Sequence, residues 1–429
     1  METNRMENQA QGNEKDLVKL WKRIYKERGW KKYAPFRTQG GFNRPYILFK
    51  AKNVTDLTTR VQKWMKARPI SPGTKHPMRR LLHLAGRAWS FITANLKGPN
   101  FIINHGEQVP EILGNIQMTI GKQGKIRTKV WDIESCYPNM PREIIRFSLR
   151  DLVKQIKNQN AYMGVRVPKF ATTKTCKWIN TPKRRVTRQG SHEVHQENTE
   201  RVKTVDMPFE VLLDVMEFAL NNAIVKMPDG TLLRQTKGIP MGDPLSPAMT
   251  IGACAWMEEE WMQQIDEDTK RKFVAKRYMD DILVAYVEDQ TWDHERFCAD
   301  LEKSECYVPP LKLEPGRQDI FLETALRVDE NNIIRYKIKN DNEDGETRVW
   351  RYQHFCSHTP YIQKRMVLTN CLLKVHKMAG DNEMRYYSAM AKINEFKKLG
   401  YPRHMVKAAC AYIAATQGER TWLDIRDHA

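Results

Sequence analysis

The alternation of apolar and polar positions divides the chain into a mixed body and a helical end. From Asp16 to about Gly29, DLVKLWKRIYKERG sets Leu17, Leu20, Trp21 and Ile24 on one side at helical spacing. It follows a polar stretch, residues 1–12, expected to be a disordered lead. PYILFK reads as a short strand and LLHLAGRAWSFITANL as a helix. KIRTKVWDIESCY predicts a strand running into a turn, and PREIIRFSLRDLVKQIKN the helix after it, with Pro141 at its first turn. Residues 164–206 are basic, β-leaning and rich in turn formers, and read as an inserted hairpin or mobile loop. MPFEVLLDVMEFALNNAIV predicts an amphipathic helix, and VKMPDGTLLRQ a hairpin turned by Asp229-Gly230. Gly238 to Pro247 form a Gly/Pro-rich loop entering the helix AMTIGACAWMEEEWMQQI. FVAKRYM and ILVAYVE read as strands flanking Asp280-Asp281, and DIFLETALRV and IIRYKIK as a strand pair. Helical segments 361–379, 382–399 and 403–417 each end at a glycine (Gly380, Gly400, Gly418) suited to a left-handed cap. The organisation predicted is an α+β body followed by a small helical lobe.

Composition narrows the function classes. The 429 residues suffice for two to four lobes, and 41% hydrophobic content supports a sizeable core. Basic residues exceed acidic ones by 20 (71 − 51), which favours a polyanionic partner, nucleic acid first and an anionic membrane surface second. No apolar run approaches the roughly 18 residues of a membrane span. The opening METNRMENQAQGNEKD lacks a hydrophobic signal core, and Glu2, Glu7, Glu14 and Asp16 disfavour a mitochondrial presequence. Eight scattered cysteines without a CxxC pair read as free thiols in a reducing compartment, with no structural zinc expected. Nucleus, mitochondrion and viral particle all satisfy that reading.

Tyr278-Met279-Asp280-Asp281 is the sharpest local signal. Adjacent carboxylates between two apolar β-runs make sense at the tip of a hairpin, where a divalent cation would relieve their repulsion. Taken alone the tetrapeptide serves equally as an ordinary Asp-Asp turn. Asp132, at the end of the KVW strand, supplies a third acid. Two Mg²⁺ ions about 3.5–4 Å apart, with Mn²⁺ as the substitute, are the expected occupants, because Mg²⁺ is satisfied by a few carboxylates, waters and substrate phosphates. Glu134 lies on the same side of the strand and is read as a structural acid. Tyr137, after the small Ser135 and Cys136, is either a core aromatic or a ring beneath a bound sugar. Gly238 and Gly242 fall where backbone must approach a ligand or fold tightly. Arg68, in KARPISP, and Lys50 or Lys52, in LFKAKN, are candidate donors to a triphosphate, or parts of a solvated basic face.

With Asp132, Gly238–Pro247 and Asp280-Asp281 in this order, the chain resembles the reverse transcriptases. DIESCYPNMP resembles their first palm motif, GIPMGDPLSPAMT the loop-helix motif, RYMDDILV the paired-aspartate motif and IFLET the primer-grip hairpin. Within that group the sequence is similar to the Penelope-like retroelements, relatives of telomerase, through DIESCYPNMP and the strings HFCSHTPYIQKRMVLTNCLL and NEFKKLGYP. IPMG and YMDD are also similar to hepadnaviral polymerases, which the thumb strings do not support. Departures are Cys136 before the tyrosine, Met241 where Gln is common, and Glu323 after Phe321-Leu322.

The resemblance implies a right-hand polymerase: a basic extension (1–44), fingers (45–124), a palm with an antiparallel sheet and the 164–206 insertion (125–345), and a helical thumb (346–429). It implies an RNA-directed DNA polymerase that takes an RNA template, a nucleic-acid primer and dNTPs. Asp132 and Asp280 would hold the metals, with Asp281 in support. Tyr137 would exclude a 2′-hydroxyl, Arg68 and Lys50 would meet the triphosphate, and Met241 and Gly242 would lie at the nascent pair. Phe321, Leu322 and Lys364 would contact nucleic acid. No GIY-YIG-type endonuclease motif follows the thumb, so integration by this chain alone is not expected. The alternatives are a catalytically silent polymerase fold serving as an RNA-binding or maturation factor, and an RNA-synthesising polymerase, against which Tyr137 speaks.

Overall fold

The computed structural model describes residues 6–8, 13–42, 44–49, 67–170, 175–180, 204–289, 292–303, 306–316, 319–339 and 352–429. Its centre is a four-stranded antiparallel sheet in the order Phe273–Tyr278, Asp281–Glu288, Lys125–Ile133, Leu313–Pro315. Strand 281–288 is buried along its whole interior, because both faces of the sheet are covered, and DILVAYVE accordingly reads as one apolar run rather than an alternation.

Strand parity sorts the side chains into two cores. Trp131, Ile133, Phe273, Ala275, Ile282, Val284 and Tyr286 face one side. There they meet the helices Arg79–Ala94, Arg142–Asn160, Phe209–Asn221 and Ser246–Gln264. Ile126, Val130, Leu283, Ala285 and Val287 face the other side. That side is closed by the helix Val109–Thr119, by the sheet of strands Ile320–Phe321, Thr324–Val328 and Ile334–Ile338, and by the C-terminal helices.

Three smaller sheets flank this body. Strands Tyr46–Phe49 and Ala67–Ile70 pair as an antiparallel ribbon. Strands Ile224–Lys226 and Leu232–Gln235 form the expected hairpin, and Met6–Asn8 adds a third strand against Leu233–Gln235. Part of the stretch read as a disordered lead is therefore paired; the rest of residues 1–12 lies outside the described residues. Within the inserted segment the described residues pair as strands. Strand Tyr162–Pro168 carries Lys177–Asn180 on one side and Thr204–Pro208 on the other. Tyr162 stacks on Trp178 at 4.8 Å, an anchor for the hairpin. Residues 171–174 and 181–203 lie outside the described residues.

The helical end has four helices, Tyr361–Met378, Asn382–Lys398, Arg403–Gln417 and Thr421–His428, one more than periodicity indicated. Gly400 and Gly418 take the left-handed cap conformation, with φ of +78° and +70°. Gly380 does not: the first helix ends in extended backbone at Ala379, and Gly380 packs against the Tyr336 ring where a Cβ would lie 3.0 Å away. Trp422 closes this lobe. It is fully buried and donates its indole N–H to His376 Nδ1 at 3.2 Å. Trp422→Ala should lower the unfolding free energy of the C-terminal lobe by about 3–5 kcal/mol, the usual cost of emptying a buried aromatic site, measured by denaturant unfolding.

Candidate active site

Backbone register brings the three predicted acids to one end of the sheet. Strands 273–278 and 281–288 are joined by the two-residue turn Met279-Asp280, in which Met279 holds a left-handed φ of +58°. Asp281 pairs directly with Asp132 across the sheet, so the two side chains leave the same face. The Asp280 carbonyl accepts a hydrogen bond from the Ile133 amide at 2.9 Å, which sews the turn to the end of strand 125–133. On the other side of that strand Glu314 also pairs with Asp132. A row Asp281–Asp132–Glu314 thus crosses three strands at one end of the sheet. Glu314 was missed because Leu313–Pro315 is too short to read as a strand; only the pairing exposes its place.

The donor chemistry fits a hard divalent cation, since all these groups are carboxylates and Asp132, Asp280 and Asp281 are partly exposed. Among the described residues no group of three or more His, Cys, Asp or Glu side chains is drawn around a point that would hold a metal ion. The backbone has converged on the site, and the carboxylates are not gathered at a single point.

Tyr137 lies in the short helix Cys136–Asn139, entered through Ser135 at φ +47°. Its ring is partly buried against the first core, and burial, followed by the nearby Cys136 and Asp280, pushes the phenol well above its ordinary range. The Gly238–Pro247 loop is laid on the same segment. Ile239 N–H donates to the Tyr137 carbonyl at 2.9 Å, and a Cβ on Gly238 (φ +64°) would sit 2.3 Å from the Pro138 oxygen. Arg142 donates to the Gly238 and Gln235 carbonyls at 2.8 and 2.6 Å, and Ser246 Oγ to the Pro240 carbonyl at 2.7 Å. Arg142 was not anticipated: its signal, an arginine opening the helix after PNMP, has no meaning until the loop is seen beneath it.

Met241 and Gly242, expected at the nascent pair, pack against the segment at Ser71. Their tight geometry serves a contact within the chain: Ser71 N–H donates to the Met241 carbonyl at 2.7 Å, and a Cβ on Gly242 (φ +111°) would lie 2.8 Å from the Ser71 oxygen. The glycine allows the two backbones to approach. Arg68 lies three residues before Ser71, exposed on the ribbon strand Ala67–Ile70. Lys50 and Lys52 lie outside the described residues.

Phe321 and Lys364, expected to contact nucleic acid, both lie in the interior. Phe321 is fully buried in the second core, because its two-residue strand turns the ring inward. Lys364 is 7% exposed and donates to the Phe355 and Ser357 carbonyls at 2.5 and 2.6 Å, with its ammonium over the Phe355 ring. It ties down the loop before the first C-terminal helix. Leu322, at φ +57°, is the partly exposed member of the turn, with Gly106 beside it.

A buried charge cluster lies directly under the Asp280 turn, and sequence reading missed it too. Arg277 and Glu258 form an ion pair with no side-chain exposure. Tyr307 Oη donates to Glu258 Oε1 at 2.8 Å and Phe101 N–H to Glu258 Oε2 at 2.9 Å.

No protein-family model and no curated protein matches this sequence. Among solved structures the chain is similar to telomerase from Candida albicans in complex with the TWJ fragment of telomeric RNA. The TM-score is 0.55 and the identity 13%, over 95% of this chain and 65% of that one. The fold is that of a right-hand polymerase. Looser superpositions reach telomerase from Candida tropicalis with the same type of RNA fragment (TM-score 0.44, 13% identity, 93% and 58% covered). They also reach the Sicinivirus 3Dpol RNA-dependent RNA polymerase (TM-score 0.38, 12% identity, 74% and 54% covered). The chain spans just under two thirds of the Candida albicans telomerase and less of the others.

Where the Met241–Gly242 loop of this polymerase fold meets Ser71, a small cavity of about 40 Å³ is lined by Ser71, His76, Asn222, Gln235 and Asp243. Burial pushes the Asp243 carboxyl up to about 6, against the bond it accepts from Leu245 N–H, and holds His76 down at about 4. An acid whose folded pKa exceeds its ordinary 3.8 opposes folding once ionised, a penalty that builds between pH 4 and 6 and is complete above. His76 acts with the opposite sign, favouring the fold above about pH 6.5 and losing that contribution as pH falls toward 4. Asp243→Asn should therefore raise the melting temperature at pH 7.5, with the gain fading between pH 6 and 4 in scanning calorimetry.

Proposed function

We propose that the chain is an RNA-directed DNA polymerase that extends a primer with dNTPs. The observation that supports this most is the pairing of Asp281 with Asp132 at one sheet end, with the Asp280 turn, Tyr137 and the Gly238–Pro247 loop against the same end. In this reading residues 45–124 act as fingers, 125–345 as palm and 346–429 as thumb. Asp132 and Asp280, supported by Asp281, would hold Mg²⁺. The bound ions supply activation of the primer 3′-oxygen and neutralisation of the departing pyrophosphate. The chain's own part is to hold the acids in register, to place Tyr137 beneath the sugar of the incoming nucleotide, and to offer Arg68 to its triphosphate.

The net charge of +20 favours template and primer as partners through phosphate contacts, so binding should be sequence-tolerant and weaken steeply with salt. The similarity of DIESCYPNMP and the thumb strings to Penelope-like retroelements supports placing the activity in that branch.

Primer extension on matched RNA and DNA templates in Mg²⁺ tests the reading. Wild type should extend, and Asp132→Ala and Asp280→Ala should each lower the rate by at least 10³-fold while template-primer affinity stays within a few-fold. Retained extension in both variants removes the acids from their role, and equal silence of wild type and variants favours an RNA-binding factor without chemistry. Tyr137→Ala should raise incorporation of NTPs relative to dNTPs at least ten-fold in the same assay. An unchanged ratio would remove Tyr137 as the sugar gate and leave open an RNA-synthesising enzyme.

A further inference from the structure

The paired-aspartate turn combines two features that need support from outside. Its first residue, Met279, holds a left-handed φ without being glycine, a conformation that persists only when surrounding contacts impose it. Its second residue, Asp280, sits on a two-residue loop at the end of the sheet. The Asp280 carbonyl is held by Ile133, as above. The Met279 carbonyl is held by a side chain instead: Arg277 Nη1 donates to it at 2.9 Å.

Arg277 is placed to do this by contacts on every other side. Its Nε and Nη2 meet the two Glu258 oxygens, and Nη2 also reaches the Ile251 carbonyl at 3.4 Å. Its backbone N–H donates to the Phe101 carbonyl at 2.5 Å, and its carbonyl accepts from Ile103 N–H at 2.9 Å. Glu258 is itself fixed by Tyr307 and the Phe101 amide. Replacing a buried ion pair by apolar groups is often neutral or stabilising, so stability alone does not account for keeping this one. Of the bonds that link this cluster to its surroundings, the Arg277 Nη1 bond to the Met279 carbonyl goes to the turn carrying Asp280.

We propose that Arg277 is a positioning residue: oriented by Glu258, it fixes the Met279 carbonyl and so aims the Asp280 carboxylate. This deepens the polymerase reading and rests on it. The segment Asn100–Ile103, bridged to Arg277 and to Glu258, belongs to the same support and ties the turn to the chain ahead of the palm strands.

Two variants separate positioning from folding. Arg277→Lys keeps the charge opposite Glu258 but cannot span both partners; the double variant Arg277→Met with Glu258→Met removes both charges together, leaving neither unpaired. In either, hydrogen exchange of amides 279–281 should accelerate at least five-fold relative to strand 282–287. Template-primer affinity should stay within two-fold. With dNTP and Mg²⁺, kcat should fall at least ten-fold with KM for dNTP little changed, and the Mg²⁺ concentration for half-maximal rate should rise several-fold. Wild-type exchange at 279–281, together with wild-type kcat and Mg²⁺ dependence in whichever variant folds, overturns the proposal. An inactive wild type would instead count against the polymerase reading, and the exchange measurement would still decide whether Arg277 holds the turn.

Discussion

Register between strands 125–133 and 281–288 is the constraint on which the molecule depends. Both strands bury side chains on both faces, so a one-residue slip would exchange the residues of the two cores and expel large apolar groups on each side. The same slip would move Asp132 from the face of Asp281 to the opposite one. The apolar residues that never touch a ligand therefore set the position of the acids, and two cores enforce one alignment.

The loop at 238–247 illustrates a second constraint, the satisfaction of backbone polar groups. Its carbonyls are taken by Arg142, Ser71 and the loop's own Ser246, and its Ile239 amide by Tyr137, so three residues from outside hold one short loop. Glycines at 238 and 242 are needed because neighbouring backbones come closer than a Cβ permits. The loop thereby joins the segment after the 67–70 strand to the segment carrying Tyr137.

Charge is treated in two ways. On the surface most ion pairs are partly exposed and contribute little each, while the excess of lysine and arginine sets a field suited to a polyanion. Inside, Arg277–Glu258 and Lys392–Glu395 are paired with almost no exposure. The first lies beneath the aspartate turn; the second closes the C-terminal lobe beside Tyr352. Lys364 belongs to the interior as well, which is why a lysine in a promising string turned out to hold a loop.

Much was legible in the linear pattern because it is local. Helical spacing over 14–27, 142–160 and 209–221, the apolar runs on both sides of Asp280-Asp281, and the order of Asp132, Gly238–Pro247 and the aspartate pair all survive as elements of a right-hand polymerase. What the sequence could not reveal were properties that arise only between distant segments. The place of Glu314 beside Asp132, the Arg277–Glu258 support, the docking of Ser71 on Met241, and the interior fate of Phe321 and Lys364 each depend on partners far away along the chain. Periodicity reports which face of an element is apolar; only the packed chain decides what that face, or a polar side chain near its end, will meet.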